Sequence, residues 1–155
     1  MDIPFMARAI QLSMDNVLSG RGGPFGAVVV KDGNIVAEGA NQVTSTNDPT
    51  AHAEVVAIRE ACKKLGAFDL EGCEIYTSCE PCPMCLGAIY WARLARVYFA
   101  NADADASRIG FDDSLIYREL AQSHSQRKIP MIQIMREQAL AAFRAWETQP
   151  NKIEY

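Results

Sequence analysis

Four side chains in this sequence could do chemistry together: the imidazole of His52, the carboxylate of Glu54 and the thiols of Cys82 and Cys85. His52 and Glu54 stand two residues apart in Thr50-Ala51-His52-Ala53-Glu54. Cys82 and Cys85 stand three apart in Ser78-Cys79-Glu80-Pro81-Cys82-Pro83-Met84-Cys85. A zinc ion that activates water takes about three protein ligands and keeps a fourth position open. His52, Cys82 and Cys85 supply that count, and Glu54 stands where it could move protons without binding the metal. Other readings exist for each part. Cys-x-x-Cys alone also serves redox pairs and structural zinc knuckles, but a structural zinc site wants four closed protein ligands. Cys79, Cys82 and Cys85 together look superficially like iron–sulfur ligands; such a cluster needs a fourth thiolate, from Cys62 or Cys73, and leaves His52 and Glu54 idle. His52 alone could be a satisfied core histidine. The open three-ligand zinc site accounts for all four residues at once.

The elements that must position them can be read from periodicity and punctuation. Phe5, Ala9, Leu12, Val17 and Leu18 fall at helical spacing over residues 5–18, with Gly20 as a stop. After the turn Gly20-Arg21-Gly22-Gly23-Pro24, residues 25–30 and 35–39 read as two strands of a hairpin joined by Lys31-Asp32-Gly33-Asn34. Residues 41–47 form a polar loop. Asp48-Pro49 marks a helix start, with Asp48 as N-cap and Pro49 in the first position. That helix runs to about Leu65 and stops at Gly66. A third strand is expected over residues 73–78, a helix over 83–92 and a short apolar strand over 97–100. After a loop come a helix over 114–120, a fifth strand over 131–135 and a last helix over 137–147. Strands alternating with helices predict an α/β three-layer α/β/α sandwich on a mixed five-stranded sheet. Both chemical motifs then sit at helix starts, where oriented N–H groups lower thiol pKa values and zinc lowers them further.

Composition narrows the function classes. The 155 residues, 49% hydrophobic and 22% charged, fit one compact soluble domain over residues 1–155. No apolar run is long enough to span a bilayer, and the N-terminus lacks the basic and apolar regions of a signal peptide. Five cysteines without an export signal fit a reducing, cytoplasmic setting. The net charge is -4 and the pI about 5.2. A protein that grips a polyanion usually carries a basic surplus, and the dense basic spots here are only Lys63-Lys64 and Arg127-Lys128. A small neutral substrate suits this balance better than nucleic acid.

His-x-Glu followed by Pro-Cys-x-x-Cys is the signature of zinc-dependent deaminases, and on these residues the sequence resembles the cytidine deaminase superfamily. The resemblance implies the cytidine deaminase-like fold and one Zn2+ per subunit on His52, Cys82 and Cys85. Glu54 would take a proton from water activated at the metal and pass it to a ring nitrogen and then to the leaving amine, releasing ammonia. The backbone N–H of Cys82 would help polarise the intermediate. Several longer runs look like those of the short bacterial guanine deaminases: Gly22 to Ala27, Asn47 to Glu54, Thr77 to Arg93 and Gly110 to Ser114. Asp48 to Glu54 is shared with tRNA adenosine deaminases. Tyr90-Trp91, Gly110-Phe111-Asp112-Asp113 and the ending Lys152-Ile153-Glu154-Tyr155 separate the two. By that resemblance Asn41 would hydrogen-bond a purine base, Phe25 and Trp91 would contact its ring, and Asp113 would accept from a ring N–H or 2-amino group. Read alone, Asn41 is a turn residue, Trp91 a core residue, and Asp113 a helix N-cap or a solvated acid. The same family exchanges C-terminal segments within a homodimer and closes the site with a terminal tyrosine. Tyr155 matches that role, its alternative being a frayed tail. The remaining functional alternatives are tRNA adenosine or another nucleobase or aminotriazine as the substrate of the same chemistry, and a noncatalytic zinc-stabilised interaction module.

Overall fold

The computed structural model describes residues 3–155. The chain divides into two units, one ending at Asp113 and the other spanning Ser114–Tyr155. Among the described residues the first holds every sheet strand. It runs α1 (Ile3–Leu18), β1 (Gly26–Lys31), β2 (Asn34–Ala40), α2 (Val43–Thr46), α3 (Ala53–Leu65), β3 (Glu74–Cys79), α4 (Pro83–Trp91), β4 (Arg96–Asn101) and α5 (Asp103–Arg108). The strands lie in the order β2-β1-β3-β4. β1 is antiparallel to β2 and to β3, and β3 is parallel to β4.

The β1–β2 hairpin is set by its turn. Lys31 pairs with Asn34, leaving Asp32 and Gly33 between them at φ 49° and 72°. Two successive left-handed residues make the turn whose twist matches the strands it joins, and Asp-Gly adopts it readily. β1 is central and buried on both faces, which is why Ala27-Val28-Val29-Val30 is a continuous apolar run rather than an alternating one. Its alternate residues feed two separate cores. Ala27 and Val29 join Ile75, the α3 alanines Ala53, Ala57 and Ala61, and Ile89 of α4. Val28 and Val30 join Tyr76 and Ala9 of α1, with Phe5 and Leu12 packed alongside. On this second face Tyr76 stacks on Tyr98 with centroids 4.5 Å apart, and Phe5 meets Tyr76 edge-on at 5.4 Å.

α3 lies unusually close to the sheet. A Cβ placed on Gly39 of β2 would stand 2.3 Å from the Ala53 carbonyl oxygen and 2.6 Å from the Ala57 nitrogen. Glycine on the strand and alanine every fourth residue on the helix therefore set the spacing between them. The helix ends at Gly66, φ 64°, whose N–H and that of Ala67 close on the carbonyls of Lys63 and Cys62.

Several boundaries differ from the expectations above. The sheet has four strands, not five. Residues 131–135 form no ladder, Met135 turns into the left-handed region at φ 52°, and Ile132 and Ile134 are 80% and 76% exposed. An apolar β-branched run becomes a strand only where another strand accepts its hydrogen bonds, and sequence pattern does not reveal the acceptor. α3 starts at Ala53 rather than at Pro49, and Asp48 is not its N-cap. The Asp48 carboxylate accepts from the Thr50 N–H at 2.8 Å and the Thr50 hydroxyl at 2.7 Å, while its carbonyl accepts from the Ala51 N–H. Asp-Pro here builds a turn that precedes the helix, a use of the same chemistry as capping. The polar loop contains α2, and the segment after β4 contains α5.

The second unit comprises α6 (Ser114–Leu120), a 3-10 turn (His124–Gln126) and α7 (Arg136–Glu147). The Arg127 guanidinium ties it together, donating from Nε to the carbonyls of Glu119 and Gln122. Ile129, Phe143 and Tyr155 of this unit are each 70% exposed or more. Among the described residues no helix is long and apolar enough to cross a membrane.

Candidate active site

Two helix N-termini deliver the reactive groups. His52 is the N-cap of α3, with φ -67° and ψ 155°, and Cys82 is the N-cap of α4, with φ -66° and ψ 168°. Both backbones are extended there, and each N-cap carbonyl accepts the first bond of its helix, from Val56 N–H at 2.9 Å and Leu86 N–H at 2.8 Å. Neither side chain caps its helix. Both are thereby released to point at the same spot. Glu54 follows in the first turn of α3 and Cys85 in the first turn of α4.

The four groups meet within contact distance. His52 Nδ1 lies 3.6 Å from Cys82 Sγ and 3.5 Å from Cys85 Sγ. Cys85 Sγ–H donates to Glu54 Oε2 at 3.4 Å. The ligand atoms of His52, Cys82 and Cys85 all lie within 4.8 Å of one another. Zinc bonds of about 2.0–2.1 Å to nitrogen and about 2.3 Å to sulfur in a tetrahedron place N and S about 3.5 Å apart. The observed N···S separations fit that edge, and the donor set of one imidazole and two thiols suits zinc. His52, Cys82 and Cys85 are thus placed to bind the metal, with Nδ1 as the histidine ligand.

The electrostatics agree. The Cys82 thiol is pushed down to about 4, chiefly by the neighbouring Cys85 thiol and then by His52. Cys85 is pushed up by the neighbouring Cys82 sulfur and by burial. The His52 imidazole is raised, first by its hydrogen bond to Cys82. A thiol that ionises this readily beside a second sulfur and an imidazole forms a site a cation can take over. Glu54 is 7% exposed, and burial raises its carboxyl above the usual range. Desolvation of this kind turns an ordinary carboxylate into a proton carrier that works nearer neutral pH. Cys79 ends β3 as a buried thiol, raised to about 11 by burial and then by Glu54; it is no ligand in this geometry. Cys73 is buried and Cys62 half-buried.

Asn41 and Phe25 are neighbours. The Asn41 N–H donates to the Phe25 carbonyl at 3.1 Å, and Asn41 is 7% exposed. Phe25 is half-buried and meets Phe111 edge-to-face, with centroids 4.9 Å apart and planes at 89°. That contact brings the Gly110-Phe111-Asp112-Asp113 loop against the glycine turn. Asp113 is half-buried, and among the described residues its Oδ1 is a fully covered side-chain oxygen with no partner. Burial, followed by Asp103, pushes its carboxyl up to about 6. Trp91 is the last residue of α4, 71% exposed, about 9 Å of helix rise beyond Cys85. Tyr155 lies in the second unit and is 73% exposed. Asp103 and Asn16 were not singled out from the sequence. Asp103 had no motif to mark it. Asn16 did carry a signal, because it stands seven residues from buried Ala9 on the inward face of α1.

Comparison with known proteins places this geometry. Residues 1–101 match the sequence model of the cytidine and deoxycytidylate deaminase zinc-binding region. The chain is 57% identical over 151 residues to guanine deaminase of Bacillus subtilis, covering 97% of each chain. An X-ray structure of guanine deaminase from Bacillus subtilis superposes with a TM-score of 0.97 at 56% identity, covering 100% of this chain and 99% of the other. The similarity to the tRNA-specific adenosine deaminase of Aquifex aeolicus is 48% over 80 residues, 52% of this chain and 53% of that one.

Proposed function

The chain belongs to the family of the cytidine and deoxycytidylate deaminase zinc-binding region, and on that premise we propose that it hydrolyses guanine to xanthine and ammonia. The observation that carries the choice of base is the reach of the similarity. It spans 97% of the chain for a guanine deaminase but about half of it for a tRNA adenosine deaminase. Zinc on His52, Cys82 and Cys85 supplies Lewis acidity that makes water acidic near neutral pH.

The rest of the chemistry belongs to the chain. Glu54, buried beside Cys85, accepts one proton from water as its oxygen bonds to the amine-bearing carbon and delivers it to a ring nitrogen; it then takes the second proton from the new hydroxyl, which becomes the carbonyl, and gives it to the departing amine. One water is consumed, the C–N bond breaks, and ammonia leaves. The Cys82 N–H, at the N-terminus of α4, is oriented to stabilise negative charge developing on oxygen. Asn41 donates to an acceptor on the purine, and Phe25 lies against the ring. Asp113 accepts from a ring N–H through the covered oxygen that otherwise lacks a partner. A base without a donor there leaves a buried acceptor unsatisfied, at about 1–3 kcal/mol, which disfavours adenine and cytosine.

The two units together make one three-layer α/β/α deaminase domain in this reading, and two chains exchange their C-terminal segments as a homodimer. The apolar residues of the second unit and the groove between α1 and β4, lined by Ile3, Met6, Ile10 and Phe99, support this. Trp91 and Tyr155 would contact the base where a partner completes the site. The five free thiols suit the cytoplasm, and neither membrane nor nucleic acid is required as a partner. Ammonia release from guanine, adenine, cytosine and a tRNA anticodon stem, by protein of measured zinc content, tests the function. Guanine alone should turn over. Turnover of the stem alone would discard the roles given to Asp113 and Tyr155 while keeping the zinc chemistry, and light scattering should find a dimer.

A further inference from the structure

Asn16 sits near the end of α1 and is 3% exposed. An amide buried this deeply must satisfy its polar atoms inside the protein. Its NH2 group donates to two backbone carbonyls, that of Gly23 at 2.9 Å and that of Asn41 at 2.9 Å. The Asn16 main-chain carbonyl in turn accepts from the Arg21 N–H and the Ser19 hydroxyl, both at 3.1 Å. One residue therefore joins the end of α1, the glycine turn and the junction after β2.

The joint has no slack. A Cβ on Gly22 would stand 2.3 Å from the Asn41 carbonyl oxygen and 2.8 Å from Asn16 Nδ2. Only glycine lets the turn close over this pair of hydrogen bonds, and its φ is not in the left-handed region, so the reason is space. What is held in this way lies directly beside the groups proposed to bind the base. The Asn41 N–H bonds to the Phe25 carbonyl, and the Phe25 N–H bonds to the Gly23 carbonyl at 2.8 Å. Gly23 and Asn41 are the two carbonyls that Asn16 grips. The Val43 N–H donates to Asn41 Oδ1 at 3.2 Å, leaving the NH2 end of that amide as the end able to donate to a ligand.

We propose that Asn16 is a positioning residue for substrate binding: by tying the Gly23 and Asn41 carbonyls together across Gly22, it sets the Asn41 amide and the Phe25 ring at the angle and separation a purine needs. Its side-chain and carbonyl hydrogen bonds run to Gly23, Asn41, Ser19 and Arg21, and not to the metal ligands or Glu54. Its effect therefore falls on binding of the base and not on the proton transfers. This inference rests on the reading of Asn41 as a contact of the base.

Asn16→Asp tests it, because the carboxylate keeps the shape but sets oxygen against both carbonyls. Zinc content, kcat and KM for guanine are measured together, with Asn41→Ala in parallel. The expected result for Asn16→Asp is full zinc content, kcat within about threefold of the unaltered protein and KM raised by about tenfold or more, the loss of a buried hydrogen bond to an uncharged partner. Asn41→Ala should raise KM in the same direction. Should Asn16→Asp fail to fold, Asn16→Ser, which retains one donor, should give the same KM-selective loss. Gly22→Ala, which pushes on the Asn41 carbonyl from the other side, should do likewise. A raised KM in Asn41→Ala beside an unchanged KM in the Asn16 variants would overturn this inference alone, as would a fall in kcat that tracks lost zinc. No change in KM for Asn41→Ala would defeat the reading of Asn41 and this inference with it.

Discussion

The starts of α3 and α4 are built alike and differ in what they carry. Each places a metal ligand at the N-cap in nearly the same extended conformation, and each gives up the side-chain cap. An absent cap costs about 1 kcal/mol per helix, a cost a bound cation can offset by fixing both N-caps at once. α3 adds an acid two residues on, buried and raised. α4 adds Pro83 at its first position and a second thiol at Cys85. In the proposed chemistry one helix start would contribute a neutral ligand and a proton carrier, and the other the anionic ligands. Holding a metal needs both, while moving a proton needs only the first.

The largest effect that would break this comparison is loss of a ligand from either side. His52→Ala and Cys82→Ala should each bring zinc content and deamination to background, measured by metal analysis and ammonia release. A variant of one helix start that kept both zinc and activity would show that the two do not share a site. Next, Glu54→Ala should separate the roles. Zinc should stay bound while kcat falls by about 10²–10⁴, and retained zinc with undiminished turnover would remove Glu54 from the mechanism.

Asp113 belongs to neither helix start and should affect selection of the base. Asp113→Asn should raise KM for guanine by about tenfold or more. Its carboxyl, pushed up to about 6 by burial and then by Asp103, should make KM for guanine climb as pH falls below about 6, where the carboxyl takes up a proton and ceases to accept. The same shift acts on folding. Between the unfolded value of about 3.9 and the folded one, the folded chain holds a proton the unfolded chain has lost. This group's contribution to stability therefore declines as pH rises through that window. Denaturant melts of Asp113→Asn should lack that component. The smallest effect should come from Pro83→Ala, which makes the first positions of the two helices chemically alike. It should cost less than about 1 kcal/mol and leave zinc content unchanged.

Much of the metal centre was legible because its parts are local in sequence. His-x-Glu and Cys-x-x-Cys each fit within one turn of helix, and the strand before the cysteines announces where that turn begins. The hairpin was legible through Asp32-Gly33, since two left-handed residues admit few other sequences. Asp48 was harder. A carboxylate ahead of a proline can cap a helix or close a turn onto Thr50, and the two uses share one local pattern. Residues 131–135 have the composition of a strand without a ladder in this chain, because strand formation depends on a partner that pattern does not contain. Asn16 went unmarked for a related reason: its value lies in two carbonyls 7 and 25 residues away.

The close approach at Gly39 has a consequence for the metal site. The strand and α3 are in contact at Ala53, the residue immediately after His52, so the thickness of one side chain calibrates how high the imidazole stands above the sheet. Zinc–ligand bonds tolerate errors of about 0.2 Å, far less than the width of a methyl group. The absent side chain on β2 thus acts as a gauge, with a finer tolerance than the surrounding core would require for packing alone. A chain altered there could remain folded and yet measure its metal wrongly.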